Sequence, residues 1–211
     1  MATPIPLFVP NLLCYLRIIL GFSGLYVSHS MPILAVFFWV ASAILDAFDG
    51  YFARKLDQCS SLGIVLDIVA DNILRTVVWL AAAIQEPASY SLAASVFISL
   101  EWTTMVCTQL HAVESKSHWK QSRGNDPIFV RSMFANNFFS VYGGFCIFGL
   151  FTANIFAYAT HYPVFANLIP YFHHLKYAAY CGRCCTALAE LWLCKSYVSL
   201  LIDRDLKAMS D

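Results

Sequence analysis

Six long stretches of mostly apolar residues follow one another along this chain of 211 residues, and they limit the folds open to it. A helix needs about 20 apolar residues to cross the hydrocarbon core of a bilayer. Backbone exposed to lipid must satisfy its own hydrogen bonds, so such stretches form helices. We expect an all-α integral membrane bundle of six transmembrane helices, at about residues 11–29, 32–48, 62–84, 90–113, 129–159 and 174–201. The fifth stretch is long for one crossing, and an interfacial turn is expected at its start.

The charge composition excludes several classes of partner. Only 12% of the residues are charged, whereas soluble domains average about 25%. Thirteen basic residues balance thirteen acidic ones, so no basic surface is left for nucleic acid. No linker, repeat or low-complexity run divides the chain, and we expect a single membrane domain over residues 1–211.

The basic residues predict the orientation of the helices. Positive charges gather in cytoplasmic loops, and with a cytoplasmic N-terminus most of them fall on that side. These residues are Arg54, Lys55, Lys116, Lys120, Arg123, Arg204 and Lys207. Both termini are therefore expected to be cytoplasmic.

Four aspartates are the polar residues least expected in apolar helices. Asp46 and Asp49 lie near the end of the second stretch, and Asp67 and Asp71 lie in the first half of the third. Each carboxylate costs roughly 2.5–3.5 kcal/mol at mid-membrane on insertion scales. Spacings of three and four residues put each pair on one helical face.

Two such faces turned toward each other would gather four carboxylates around one cavity, where they stay ionised only if cations neutralise them. Ligands that are all oxygen favour Mg²⁺ or Mn²⁺, and such an ion usually shares its coordination with substrate phosphates. The alternative is that the aspartates are helix-end carboxylates in the headgroup region, paired with Arg54, Lys55 and Arg75.

The residues between the two aspartate pairs suit a nucleotide diphosphate. Gly50, Ala53 and Gly63 remove side-chain bulk where a ligand could approach the backbone. Arg54 can make a bidentate contact with a diphosphate, and the Ser60 hydroxyl can donate to one.

The whole string is Asp46-x2-Asp49-Gly50-x2-Ala53-Arg54-x8-Gly63-x3-Asp67-x3-Asp71. It resembles, at every fixed position, the signature of the CDP-alcohol phosphatidyltransferase family. Within that family the chain is most similar to the eukaryotic inositol-using members, the phosphatidylinositol synthases. The opening Leu7-Phe8-Val9-Pro10-Asn11, followed by Tyr15 and Arg17, adds to this likeness.

The resemblance implies a metal-dependent transfer of a phosphatidyl group from CDP-diacylglycerol to inositol, which gives phosphatidylinositol and releases CMP. Asp46, Asp49, Asp67 and Asp71 would hold Mg²⁺ or Mn²⁺, with Asp71 also the general base. The CDP moiety would contact Gly50, Ala53, Arg54, Ser60 and Gly63. The family further implies a homodimer in the endoplasmic reticulum, and with the orientation predicted above the active site should face the cytoplasm.

The chain departs from the inositol enzymes in the part expected to bind the acceptor. Those enzymes carry Arg after the fourth Asp, whereas this chain has Asn72 and its next cation is Arg75. They also carry an Asp and a Ser-His pair on the fourth helix, where this chain reads Leu100-Glu101-Trp102-Thr103-Thr104-Met105, and a basic residue early in the fifth helix that is missing from 134–137.

Other polar residues in the apolar stretches have two interpretations each. Asn11, Arg17 and Arg75 are candidate contacts for the lipid phosphate or the acceptor. Arg17 could instead snorkel to the membrane surface, and Arg75 could be the ion-pair partner of Asp71, four residues earlier. Glu101, Arg183, Glu190 and Lys195 are expected to pair with one another between helices.

Three other functions remain open. The same chemistry could use glycerol phosphate, serine or another polyol as acceptor. The chain could be a catalytically silent scaffold that binds CDP-lipid, although such a protein has little reason to keep four costly carboxylates. A metal transporter is disfavoured because the acidic cluster lies near one end of the helices.

Overall fold

A computed structural model describes residues 4–115 and 126–210 of the chain. These residues form eight α-helices and no strand, which confirms the all-α prediction. The helices are α1 (Val9–Val27), α2 (Pro32–Lys55), α3 (Ser61–Gln85), α4 (Pro87–Ser115), α5 (Ile128–Phe134), α6 (Val141–Ala159), α7 (Pro163–Leu168) and α8 (Phe172–Ser210). Lys116, Lys120 and Arg123, used above to predict orientation, lie outside the described residues.

Five of these helices, namely α1, α2, α4, α6 and α8, are long and apolar enough to cross a membrane. The chain is thus a multi-pass membrane protein by length and composition. Helix α3 has 25 residues but is not among the five, and it holds Asp67, Asp71 and Arg75 in its interior. The count of six crossings therefore stays a prediction.

The stretch 129–159 is not one helix, which corrects the single segment expected there. Helix α5 ends at Phe134, a short 3₁₀ turn follows over Ala135–Phe138, and α6 begins at Val141. Asn136 and Phe138 have positive φ angles of 51° and 70°, a conformation that ends a right-handed helix. The expected turn is present, and it separates two helices.

The chain divides into two compact units. The first comprises Met1–Ala94 with Ala157–Pro170, and the second comprises Ser95–Phe156 with Tyr171–Asp211. In the first unit α1 packs against both α2 and α3. Gly24 permits close contact with Trp39 of α2, whose indole nitrogen donates to the Gly21 carbonyl at 3.1 Å. This packing brings the polar residues of all three helices together.

The second unit contains a closer approach, between α6 and α8. A Cβ on Gly149 would lie 2.2 Å from the backbone nitrogen of Arg183, so the two backbones are nearly in contact. Thr186 donates from its hydroxyl to the Cys146 carbonyl at 2.9 Å at the same crossing. Small residues at helix crossings are typical of membrane proteins because they allow such close packing.

Arg183 also forms the centre of a buried charge cluster in the second unit. Its guanidinium contacts Glu101 of α4 at 3.0 Å and Glu190 of α8 at 2.8 Å. It lies over the ring of Phe97, 4.3 Å from the ring centre. The predicted pairing is confirmed for these three charges, whereas Lys195 lies over the Trp192 ring.

Candidate active site

The four aspartates of the motif lie on neighbouring stretches of α2 and α3. Asp46 and Asp49 are in the second half of α2, and Asp67 and Asp71 are in the first half of α3. One carboxylate oxygen from each of Asp46, Asp49 and Asp67 lies within 4.8 Å of the other two. The predicted meeting of the two pairs is confirmed, and Asp71 joins them through a shared partner.

That shared partner is Arg17 of α1. Its Nη1 donates to Asp49 Oδ2 at 2.7 Å and to Asp67 Oδ1 at 2.8 Å. Its Nη2 lies 2.7 Å from Asp46 Oδ1 and also contacts Asp71 Oδ1. The Arg17 side chain has no exposed surface, so the interpretation that it snorkels to the membrane surface is wrong.

The other cation near the cluster is Arg75. Its Nη1 lies 3.5 Å from Asp71 Oδ2, and its Nη2 donates to the Asn72 side-chain oxygen at 3.1 Å. The Asn72 amide in turn donates to the carbonyl of Ile68 at 3.1 Å. The interpretation of Arg75 as an ion-pair partner of Asp71 is therefore confirmed, and a contact with the acceptor stays a prediction.

The sequence also allowed the aspartates to be paired with Arg54, Lys55 and Arg75 in the headgroup region, and only part of this pairing is present. Among the described residues, Arg75 is paired with Asp71, but no ion pair joins the four aspartates to Arg54 or Lys55. Lys55 lies over the ring of Tyr51 instead. The carboxylates are gathered around Arg17, away from the helix end.

A partly open cavity of about 220 Å³ lies beside the cluster, within the first compact unit. Asp49 and Asp67 contribute to its wall. All five residues predicted to bind CDP also line it, namely Gly50, Ala53, Arg54, Ser60 and Gly63. A single cavity thus joins part of the acidic cluster to the predicted nucleotide contacts.

The N-terminus of α3 forms one side of this cavity. Ser60 precedes the helix in an extended conformation, and its hydroxyl oxygen accepts from the Gly63 backbone N–H at 3.0 Å. This bond leaves the hydroxyl hydrogen of Ser60 available as a donor. The partial positive charge at a helix N-terminus stabilises anions. This end of α3 is therefore suited to phosphate oxygens.

The two glycines of the motif differ in what surrounds them. A Cβ on Gly63 would lie 2.9 Å from Asn11 Oδ1, so glycine is needed there for α1 and α3 to pack. A Cβ on Gly50 would meet the flexible end of Arg54 at 3.4 Å, a contact that Arg54 can relieve by moving. Protein packing accounts for Gly63, whereas a side chain at Gly50 would meet the movable end of Arg54 at the wall of the cavity.

The side chains at the cluster fit a divalent metal of the Mg²⁺ type. Each donor is a carboxylate oxygen, and three of them lie within 4.8 Å of one another. Hard cations such as Mg²⁺ and Mn²⁺ prefer oxygen ligands. The donor set is therefore appropriate for the metal that the sequence predicts.

Sequence reasoning missed how α1 completes the cluster. The sequence alone leaves Arg17 either as a candidate contact for the lipid phosphate or acceptor or as a snorkelling residue, and it indicates Cys14 only as a small apolar residue, yet the Cys14 thiol donates to Asp49 Oδ2 at 3.6 Å. A signal was available, because a buried arginine in a membrane helix requires carboxylate partners. The spacing of three between Cys14 and Arg17 also puts both on one face of α1.

Comparison with known proteins agrees with this geometry. A family model described as CDP-alcohol phosphatidyltransferase matches residues 7–169, which include both aspartate pairs and all the residues that line the cavity. No solved structure gives a significant match.

Among curated proteins, the chain is similar to several described as CDP-diacylglycerol–inositol 3-phosphatidyltransferase. The protein of Candida albicans is 44% identical over 66 residues, which cover 31% of this chain and 29% of that protein. The human protein is 42% identical over 66 residues, 31% of each chain, and the rat protein 31% identical over 112 residues, 52% of this chain and 53% of that protein. The match thus spans between about a third and a half of these relatives. With the family model matching well over half of its residues, this chain belongs to the CDP-alcohol phosphatidyltransferase family.

Proposed function

We propose that the chain transfers a phosphatidyl group from CDP-diacylglycerol to inositol, yielding phosphatidylinositol and CMP. The observation that carries this proposal is the juxtaposition of the acidic cluster with a cavity lined by Gly50, Arg54 and Ser60. A diphosphate needs cationic neutralisation and hydrogen-bond donors, and a nucleotide needs room beside them. The similarity to relatives described as inositol phosphatidyltransferases supports the same reaction.

In this proposal Asp46, Asp49, Asp67 and Asp71 hold Mg²⁺ or Mn²⁺. The bound metal would supply a positive charge that polarises the diphosphate and stabilises the departing CMP. Two observations support this set: the close approach of the Asp46, Asp49 and Asp67 oxygens, and the hydrogen bond that links Asp71 to Arg17, which also contacts the other three carboxylates.

The donor lipid would be bound from the cavity side. Arg54 and the Ser60 hydroxyl donate to the diphosphate, and the N-terminus of α3 adds its partial positive charge. Gly50 and Ala53 leave the backbone accessible to the nucleotide, and Gly63 lines the same cavity. These five residues already line one cavity.

Asp71 would act on the acceptor. The acceptor hydroxyl attacks the phosphorus that bears the diacylglycerol, its proton passes to the Asp71 carboxylate, and the bond from that phosphorus to CMP breaks. Asp71 Oδ1 is held by Arg17 and Oδ2 lies near Arg75, which orients the carboxylate. Asn11 and Arg75 remain candidate contacts for the lipid phosphate or the acceptor, whereas Arg17 is fully buried and held by the four aspartates.

An acceptor panel tests the proposal. Purified protein is supplied with CDP-diacylglycerol, Mn²⁺ or Mg²⁺ and one labelled alcohol at a time, and CMP release is measured. Inositol should give phosphatidylinositol. If glycerol phosphate, serine or another polyol reacts and inositol does not, the family chemistry holds with a different acceptor. Absence of CMP with every acceptor would leave the scaffold interpretation.

The panel includes acceptors other than inositol because this chain differs from the inositol enzymes at positions whose side chains have partners within the chain. Asn72, at the position where the inositol enzymes carry arginine, is buried and hydrogen-bonded to Arg75. Glu101 is engaged by Arg183. The residues that differ from the inositol enzymes therefore have partners within this chain.

The location and assembly of the protein follow from its family in this proposal. We expect an integral membrane protein of the endoplasmic reticulum, a homodimer, with a single catalytic domain over residues 1–211 and both termini cytoplasmic. The cavity then faces the cytoplasm, where inositol enters from water and the CDP-lipid from the bilayer.

A further inference from the structure

We propose that Arg17 is a built-in counter-ion, a positioning residue that holds the four aspartates together before a divalent metal enters. This inference rests on the proposed function, because it concerns the same metal site. It assigns Arg17 a role distinct from contact with lipid phosphate or acceptor.

The hydrogen-bond pattern of Arg17 joins the two halves of the motif. Nη1 bridges Asp49 of α2 and Asp67 of α3, and Nη2 bridges Asp46 of α2 and Asp71 of α3. Each nitrogen therefore links one carboxylate of each helix. A planar guanidinium can bridge in this way because its donors are held in a fixed fork.

The charge of Arg17 is needed to bring these carboxylates together. With all four ionised, Arg17 and Arg75 leave a net charge of minus two, and without Arg17 the remainder is minus three. Arg75 reaches only Asp71, at 3.5 Å, whereas Arg17 touches all four. Removing the buried partner of a charged group is strongly destabilising because it leaves that charge uncompensated.

Arg17 is also fixed to α2 through its backbone. The Ser42 hydroxyl donates to the Arg17 carbonyl at 3.1 Å, which holds this turn of α1 against α2. Arg17 is not among the residues that line the cavity, whereas Asp49 and Asp67 are. A cation entering through the cavity therefore meets these carboxylates beside a guanidinium that already neutralises part of their charge.

Arg17 and a divalent metal consequently supply the same kind of charge to the same four groups. The metal-free protein should depend on Arg17 for stability, and the metal-loaded protein should depend on it much less. A residue that acts only through packing would affect both forms equally.

The test is the melting temperature of the full chain in detergent, measured in EDTA and in saturating Mn²⁺ without substrate. Arg17→Met should lower the melting temperature in EDTA by at least about 6 °C, the shift expected for a buried charge pair that loses one partner in a chain of this size. Mn²⁺ should recover at least half of that loss.

Arg183→Met is the matched control. Arg183 is also a buried arginine held by two carboxylates, but it belongs to the other compact unit. Its substitution should lower the melting temperature by similar amounts in EDTA and in Mn²⁺. The comparison separates loss of a counter-ion at the metal site from loss of a buried ion pair in general.

Arg17→Lys provides a second measurement in case Arg17→Met cannot be purified folded. One ammonium keeps the charge but not the fork, so its melting temperature should rise more with Mn²⁺ than that of the unsubstituted chain. The proposal would be overturned if Mn²⁺ raised the melting temperatures of Arg17→Lys and of the unsubstituted chain equally, or if it left the loss in Arg17→Met unchanged. Because no substrate is present, this result is independent of the acceptor panel. A chain that releases no CMP can still recover its melting temperature with Mn²⁺, and an active chain can fail to do so.

Discussion

Asp71 has two tasks in the proposed reaction, as a ligand of the metal and as the base for the acceptor hydroxyl. Asp71→Asn removes the proton acceptor and leaves Asp46, Asp49 and Asp67 in place. We expect CMP release to fall by roughly 10²- to 10⁴-fold, the usual contribution of a general base. Binding of CDP-diacylglycerol, measured by calorimetry, should be largely retained.

The matched control is Asp57→Asn, since Asp57 is an exposed residue of the α2–α3 connection outside the site. Its φ of 52° is also tolerated by asparagine. Turnover should be unchanged in this variant. Undiminished turnover in Asp71→Asn would contradict the assignment of the base.

Gly50 and Gly63 are predicted to respond differently to the same substitution. The methyl group of Gly50→Ala would occupy space beside the cavity, so we expect the KM for CDP-diacylglycerol to rise roughly 5- to 150-fold with little change in melting temperature. Gly63→Ala puts a methyl group 2.9 Å from Asn11 Oδ1, and its melting temperature should fall by roughly 2–12 °C. The reverse pattern would show that Gly50 serves packing and Gly63 the ligand.

The acidic half of the site could be predicted from residues, and its basic centre could not. Asp46, Asp49, Asp67 and Asp71 have spacings that fix one face on each helix, so their meeting follows once α2 and α3 lie side by side. Arg17 lies in α1, 29 residues before Asp46 along the chain. Its place in the cluster depends on how α1 is rotated against α2 and α3, and the hydrogen bond from Trp39 to the Gly21 carbonyl is one of the contacts that fix this rotation.

At the scale of helices, the crossing of α6 and α8 should depend on Gly149. Gly149→Ala would force a methyl group to 2.2 Å from the backbone of Arg183, and backbone atoms cannot move aside as a side chain can. We expect the melting temperature to fall by more than about 4 °C.

Gly144 of the same helix serves as control for this prediction. A Cβ there meets the Phe138 carbonyl oxygen at 4.0 Å, so Gly144→Ala should leave the melting temperature unchanged or raise it slightly, because alanine favours the helix. Equal losses in both variants would indicate that helix geometry, and not the crossing, is responsible.

The positions of the long helices were predictable, and their internal interruptions were not. The apolar stretches locate α1 and α3 to within a few residues because hydrophobic length marks them, whereas α2 continues to Lys55, seven residues past the expected end at 48. The division of 129–159 depends on positive φ angles at Asn136 and Phe138. Nothing in the apolarity of these residues distinguishes a turn from a continuing helix.

For the whole molecule, a net charge of zero conceals an uneven distribution. Four of the thirteen acidic residues surround one buried arginine, and three further charges form the cluster at Arg183. Eight of the charges that the described helices carry thus lie in these two clusters. A chain with few charges can in this way hold a strongly acidic pocket.

The topology of the molecule depends on whether α3 crosses the membrane. Five crossings would put the two termini on opposite sides, and six would put them on the same side. Helix α3 has 25 residues, or about 37 Å at 1.5 Å per residue, which exceeds the hydrocarbon thickness of about 30 Å. It packs against α1 as α2 does, and a connection of only five residues separates it from α2.

We therefore expect α3 to cross, because its charges are paired with Arg17 and Arg75 and are not exposed singly to lipid. Cys59 precedes α3 and should react with a membrane-impermeant maleimide from the cytoplasmic side of sealed microsomes, in a chain whose other cysteines are replaced. Ala88→Cys, in the same background without Cys59, lies just beyond α3 and should react only after the membrane is permeabilised. Reaction of both before permeabilisation would mean that α3 returns to the side it started from, leaving five crossings and termini on opposite sides.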